Sequence, residues 1–143
     1  MGKRDDPFER IEAIVGEVED FMEARDAFFA HLKSLLKLPC EVTGGEDFNW
    51  EEGYVFGWGS KREYEELKKT QPSYRDRFQL LSIDGKRYSE WAICPREDIA
   101  AIVRRIKDGK QFVLGLSELE GTDKNSVNFQ LLKDFAVFFA NYR

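Results

Sequence analysis

DFAVFFANY, from Asp134 to Tyr142, is apolar on both faces when laid out with a period of two. Such a run suggests a strand buried on both sides, or one that closes a barrel. Upstream lies AAIVRRIKDGKQFVLGL (Ala100 to Leu116), in which strand-like residues flank Asp108-Gly109. Asp-Gly suits a two-residue type I′ turn, which needs φ > 0 at both positions. That turn would pair Lys107 with Lys110, Arg105 with Phe112 and Val103 with Leu114. Between this hairpin and the last run, Ser117-Glu118-Leu119-Glu120 has a capping-box pattern and predicts one helical turn. A long hairpin, one helical turn and a final strand is how small SH3-like barrels end.

Further upstream, FQLLSI-DG-KRYSEW carries a second Asp-Gly turn at Asp84-Gly85. It makes either a hairpin or the mouth of a loop, because Arg87 to Glu97 is mixed and Pro95 interrupts it. Ser60 followed by KREYEELKK predicts a short capped helix, closed before Pro72. This inserted helix, about residues 60–70, lies between strand candidates Gly53–Trp58 and Phe78–Ile83. From Phe8 to Leu36 apolar residues step by three and four. One row is Phe8, Ile11, Val15, Val18, Met22, Phe29, Leu32 and Leu36; a second is Ile14, Phe21, Phe28 and Leu35. Together they form a stripe wide enough for a helix lying on a core. Asp5 or Asp6 before Pro7 starts it and Pro39 ends it. Gly16 marks a kink or a break into two helices. Arg25 is the one charge in the stripe and calls for a partner or a snorkelling path. His31 falls off the stripe and is expected to be exposed.

These elements predict an α+β protein. A long N-terminal helix packs on a small SH3-like β-barrel, or on a strongly bent antiparallel sheet, with one inserted short helix. At 143 residues the chain is expected to form a single domain, 1–143. Its N-terminal helical segment would be 1–38 and its β-rich part 39–143.

The totals narrow the function. Net charge is −5 from 22 Lys and Arg against 27 Asp and Glu, which argues against nucleic acid. No apolar stretch approaches the length of a membrane span, and MGKRDDPFER resembles neither a signal peptide nor a myristoylation site. Cys40 and Cys94 form no CxxC pair and read as free thiols in a reducing cytosol, so the expected location is cytoplasmic. There is no GxGxxG, Walker A or GxSxG sequence. The single histidine leaves no Cys–His nucleophile or zinc set. The chain is therefore expected not to be an enzyme.

Acids and aromatics remain. Calcium takes six to eight oxygens from carboxylates, carbonyls and water. CEVTGGEDFNWEE (Cys40 to Glu52) offers Glu41, Glu46, Asp47, Glu51 and Glu52 beside two glycines. ELEGTDKNSVN (Glu118 to Asn128) offers Glu118, Glu120, Asp123, Asn125 and Asn128. Neither matches an EF-hand loop. In EDFNWEEGYVFGW, Tyr54, Phe56 and Trp58 alternate, so as a strand they share one face and point into the core. The competing possibility is an exposed aromatic surface for a protein partner, with Trp50, Tyr54, Trp58 and Trp91 as its anchors.

The segment FVLGLSELEGTDKNSVNFQLLKDFAVFFANYR, with KLPCEV after the N-terminal helix, resembles a family of small calcium-binding proteins from cyanobacteria and related bacteria. The motif positions are Leu38-Pro39-Cys40-Glu41, Leu119-Glu120, Asp123, Asn128-Phe129-Gln130 and Asp134 to Asn141. The match is good over about the last 45 residues and moderate from His31 to Val42. Cys40 stands where the family has an aromatic, and Gly44 to Arg77 is longer than its counterpart. The resemblance implies a non-enzymatic calcium-binding protein with an SH3-like barrel, the ion held by acidic side chains and loop carbonyls. Glu41, Glu120, Asp123 and Asp134 carry over as motif positions; Glu46, Asp47, Glu51 and Glu52 rest on local acid density. The alternative is an SH3-like interaction module that has kept the fold without the metal.

Overall fold

The computed structural model describes residues 6–143. Asp6 caps α1 (Pro7–Val15), its carboxylate accepting from the Phe8 N–H at 2.9 Å. The other cap candidate, Asp5, lies with the rest of Met1–Asp5 outside the described residues.

The single long helix expected at the N-terminus is two. α1 stops at Gly16, whose φ of 65° lies in the left-handed region that ends helices. Asp20 then caps α2 (Phe21–Leu35) through the Glu23 N–H. The break turns the apolar rows. Ile11, Val15, Phe28 and Leu32 are buried, whereas Phe8, Val18, Met22 and Leu35 from the same rows are exposed. Arg25 is buried and donates to the main-chain oxygens of Asp98 and Gly85. His31, expected on the surface, is half-buried with its ring edge-on to Phe28.

A larger correction concerns Asp134–Tyr142, which forms no strand. It is the second half of α5 (Val127–Tyr142), capped by Ser126, whose hydroxyl accepts from the Phe129 N–H at 3.1 Å. Asn128, Leu131, Leu132, Phe135, Phe138 and Phe139 are buried, at spacings of three and four. The stretch looks apolar on both strand faces because one broad side of a helix is buried and Val137 and Tyr142, around its circumference, also touch the core.

The sheet has five antiparallel strands: β1 (Cys40–Gly44), β2 (Arg77–Asp84), β3 (Ala100–Arg105), β4 (Gln111–Gly115) and β5 (Leu119–Gly121). Their order is β4-β3-β2-β1-β5, so the sheet is open and no strand among the described residues closes a barrel. It is nevertheless strongly curved. One 3-10 turn, Leu116–Glu118, carries the chain from one edge strand to the other. Four interstrand spacings of a flat sheet would be about 19 Å, while that connection reaches about 14 Å at most. Part of the bend enters at a bulge in β2, where the register shifts between Leu80 and Ser82. Helices α1, α2 and α5 pack together, and Phe28, Phe135 and Phe138 meet between them.

The β3–β4 hairpin forms, but two residues away from the predicted register. Val103 pairs with Phe112, not Leu114, and Ala101 takes Leu114. Among the described residues no non-glycine residue has positive φ, so Asp108 cannot occupy a type I′ turn; a longer loop closes on Gly109 at φ 76°. The loop's length lets Asp108 reach back to Arg105. A shift of two residues keeps the same side chains on each face. The Asp84-Gly85 candidate opens into a loop that ends at β3.

EDFNWEEGYVFGW is also not a strand. A 3-10 turn (Asn49–Glu51) runs into the one-turn helix α3 (Glu52–Val55), and Trp58 N–H returns to Gly53 O at 2.8 Å. Glu51 turns inward and is buried. Its carboxylate accepts from Tyr64 Oη and Ser73 Oγ at 2.6 Å and from the Tyr74 N–H at 2.7 Å. A buried carboxylate needs that many donors. The inserted helix α4 (Lys61–Leu67) is capped by Ser60 as predicted. Arg105, fully buried, anchors the segment after it: the guanidinium meets Asp76, Asp108 and the carbonyls of Lys68, Lys69 and Gln71.

Candidate functional site

A cleft of about 580 Å³ lies where the β4–β5 turn passes α5. One wall is a helical stripe of α5, formed by Phe129, Lys133, Ala136, Ala140 and Arg143 at spacings of three and four. The other side brings together three segments remote in sequence: Gly45 to Asp47 after β1, Ile93 to Asp98 before β3, and the turn Ser117 to Glu120. Five acids line it: Glu46, Asp47, Asp98, Glu118 and Glu120.

Gly115 sets the closest approach. A Cβ there would sit 2.6 Å from Asp98 Oδ2, 2.8 Å from Glu118 Oε2 and 2.9 Å from Ala92 Cβ. Only a residue without a side chain lets the two carboxylates draw in over the strand end. Asp98 Oδ1 accepts from the Ile99 N–H at 2.8 Å and the Ser117 N–H at 3.1 Å, while Oδ2 accepts from Ser117 Oγ at 2.5 Å. Glu118 Oε2 accepts from the Ile93 N–H at 3.2 Å. Burial pushes Asp98 up to about 6, against the pull of the Ser117 and Ile99 donors and the more distant Arg25 charge. Burial also pushes Glu118 up to about 7, and the nearby Asp98 charge adds to it. Burial thus favours the protonated form of both carboxyls, and a positive charge beside them would offset the cost of ionising them.

The cleft also carries cations. Arg143 is engaged with Glu97 at 3.0 Å and with Cys94 Sγ at 2.6 Å. Lys133 lies over the Phe129 ring.

The predicted site residues separate into those in the cleft and those outside it. Glu46, Asp47 and Glu120 line it, and Glu120 Oε2 is 3.9 Å from a Cβ placed on Gly45. Glu41 is on β1, paired with Arg77 at 2.6 Å, which lowers its pKa. Glu51 is the buried acceptor described above, and Glu52 is exposed in α3. Asp123 is in the turn before α5, accepting from the Asn125 N–H. Asp134 is buried in α5 and holds Arg10 at 2.8 and 3.1 Å and Gln130 at 2.8 Å. Asp98 and Glu118 take the central position instead. Glu118 was visible in the sequence as one acid of an oxygen-rich segment. Asp98 follows Glu97 directly before an apolar run, with no oxygen-rich segment around it to mark it as a site.

The aromatic candidates do not form one surface. Trp50 is half-buried, its indole N–H donating to Pro72 O at 2.6 Å. Tyr54 stacks on Tyr64 at 5.3 Å. Trp58 is exposed. Trp91 lines a separate shallow groove with Tyr88, Ile102 and Phe112.

The donors in the cleft are hard oxygens, the chemistry that calcium prefers. Among the described residues, no group of three or more His, Cys, Asp or Glu side chains is arranged to hold a metal. An ion here would therefore rest on the Asp98–Glu118 pair and take most of its shell from hydroxyl, carbonyl and water oxygens. Among the described residues no helix is long and apolar enough to cross a membrane.

No protein-family model matches the chain, and no curated protein sequence matches it. Solved structures do share its fold. The crystal structure of CcbP from Anabaena superposes with a TM-score of 0.59 at 16% identity, over 98% of this chain and 94% of that one. A calcium-binding protein in its calcium-binding form superposes with a TM-score of 0.59 at 18% identity, over 98% and 95%. At such identities the likeness is one of fold.

Proposed function

We propose that the protein binds calcium in the acidic cleft beside α5 and catalyses no reaction. The observation that carries this reading is the pair Asp98 and Glu118, drawn together over Gly115 in the same cleft as Glu46, Asp47 and Glu120. The fold shared with a calcium-binding protein supports it. A bound calcium ion would neutralise the pair and supply structural charge compensation. The protein's own contribution is to hold the two carboxylates. Ser117 orients Asp98 through both its hydroxyl and its N–H, and the Ile93 N–H fixes one oxygen of Glu118. Glu46, Asp47 and Glu120 would add negative potential at the mouth and speed capture.

Titration calorimetry of the purified chain with calcium, and with magnesium as control, tests the proposal. Magnesium demands a tighter octahedral shell than a bent loop site provides. Saturable calcium binding that disappears in an Asp98→Asn, Glu118→Gln double variant is the expected result. Absence of heat and of any thermal shift at millimolar calcium would reject it.

A further inference from the structure

We propose that the corner formed by Val55, Phe56 and Trp58 is a self-association surface, on which a second copy of this chain docks about a two-fold axis. Trp58 is 81% exposed, Phe56 61% and Val55 43%. Their exposure is built into the local structure. Gly57, at φ 85°, turns the chain where a side chain would be strained, and Trp58 N–H is tied to Gly53 O. A Cβ on Gly59 would fall 2.5 Å from the Tyr54 ring, so the chain must pass flat against that ring. Beneath lies a stiff platform. Tyr54 stacks on Tyr64 with planes 9° apart, Trp50 packs edge-on to Tyr54, and Tyr64 is fixed by buried Glu51. The Phe56 and Trp58 rings, 5.8 Å apart, are thus presented to solvent on a rigid support. Contiguous, pre-ordered exposed aromatics are the composition of interface centres.

Charge selects the occupant. Glu52 precedes the corner and Lys61 and Arg62 follow it; all are exposed, and among the described residues none is in an ion pair. A polyanion would meet repulsion from Glu52, and a basic peptide from Lys61 and Arg62. A second copy related by a two-fold axis offers each sign its opposite, because an isologous contact pairs residue i with j and j with i. The size agrees with a weak pair. Aromatic side chains carry roughly 150–250 Å² each, so the exposed parts of the three residues amount to roughly 350 Å² per copy. Doubled, with the flanking charges added, this approaches the lower end of specific interfaces, about 1,000 Å². The dimer is therefore concentration-dependent.

Sedimentation equilibrium of the full chain from about 1 µM to 1 mM reads the outcome. The average mass should rise from one chain towards two within that range. Trp58→Ala should weaken association by at least about tenfold, with the far-ultraviolet dichroism unchanged because the ring packs on little. A Glu52→Lys chain mixed with a Lys61→Glu, Arg62→Glu chain should associate more tightly than either variant alone. A single-chain mass up to 1 mM would overturn the proposal and leave the corner to another molecule. Dimerisation that survives Trp58→Ala, or charge-reversed chains that associate no better mixed than alone, would overturn it equally.

Discussion

Replacing Glu118 by glutamine should stabilise the calcium-free protein at pH 8 and leave its stability nearly unchanged at pH 5. The carboxyl is held at about 7 against an ordinary 4.5, so between those values the folded chain keeps a proton that the unfolded chain releases. Stability therefore falls as pH rises through that window, and above it the full cost of ionising the buried group is present. Each pKa unit is worth about 1.4 kcal/mol, which bounds the cost at about 3–4 kcal/mol. Solvent at the open side of the cleft screens part of this, leaving about 1–2 kcal/mol. Glutamine keeps an oxygen for the Ile93 N–H and removes the charge facing Asp98. For a chain of this size, that gain raises the melting temperature by roughly 3–6 °C. Thermal unfolding of both proteins, followed by circular dichroism at pH 5 and pH 8, measures the difference. Saturating calcium should raise the melting temperature of the parent at pH 8 and not that of the variant. A variant less stable than its parent at both pH values would refute the account of Glu118 as a carboxylate held under strain for a cation.

Other perturbations separate the cleft from the scaffold. Arg105→Met leaves Asp76 and three carbonyls without their buried donor and should cost about 3–5 kcal/mol. A loss of under about 3 °C in melting temperature would show that the anchor carries little. Asp134→Asn breaks the two-point contact with Arg10 and should cost about 1–3 kcal/mol in urea unfolding. It should leave the calcium isotherm unchanged, and weakened binding would move the site away from the Asp98–Glu118 pair. Gly115→Ala drives a methyl between the two carboxylates, at a cost of about 1–3 kcal/mol. It should also abolish the calcium-induced thermal shift, and a retained shift would mean that the carboxylates need not converge over Gly115.

The α+β class and the bent antiparallel sheet were legible in the sequence, whereas the C-terminal helix and the cleft it lines were hidden for one shared reason. Caps and short helices were legible because their signals are local: Asp6 before Pro7, Ser60 before α4 and the left-handed Gly16 each act within one turn of chain. The DFAVFFANY stretch was not, since its nine residues cannot distinguish a two-faced strand from part of a broadly buried helix. The evidence lay upstream, in Ser126 and the three-and-four spacing from Asn128 onwards. That difference decides the site as well. In a strand, Lys133 and Ala136 would face opposite sides, and Phe129, Lys133, Ala136, Ala140 and Arg143 could not line one wall. As a helix they do, and the small Ala136 and Ala140 leave room opposite the β4–β5 turn. The same turn brings Glu118 over Gly115 and places it against Asp98, twenty residues earlier in the chain. Asp98 could be recognised only after the sheet curvature was known, because apart from the adjacent Ile99 N–H its donors come from Ser117, nineteen residues further along the chain. Acid density in the sequence pointed to Glu46, Asp47 and Glu120 at the cleft. It could not separate them from Glu51, committed to Tyr64 and Ser73, nor could the family resemblance separate Glu120 from Asp134, committed to Arg10 within the scaffold. The number of acids along the chain therefore says less about cation binding than which carboxylates the fold draws together, and Asp98 and Glu118 are distinguished by their convergence over Gly115.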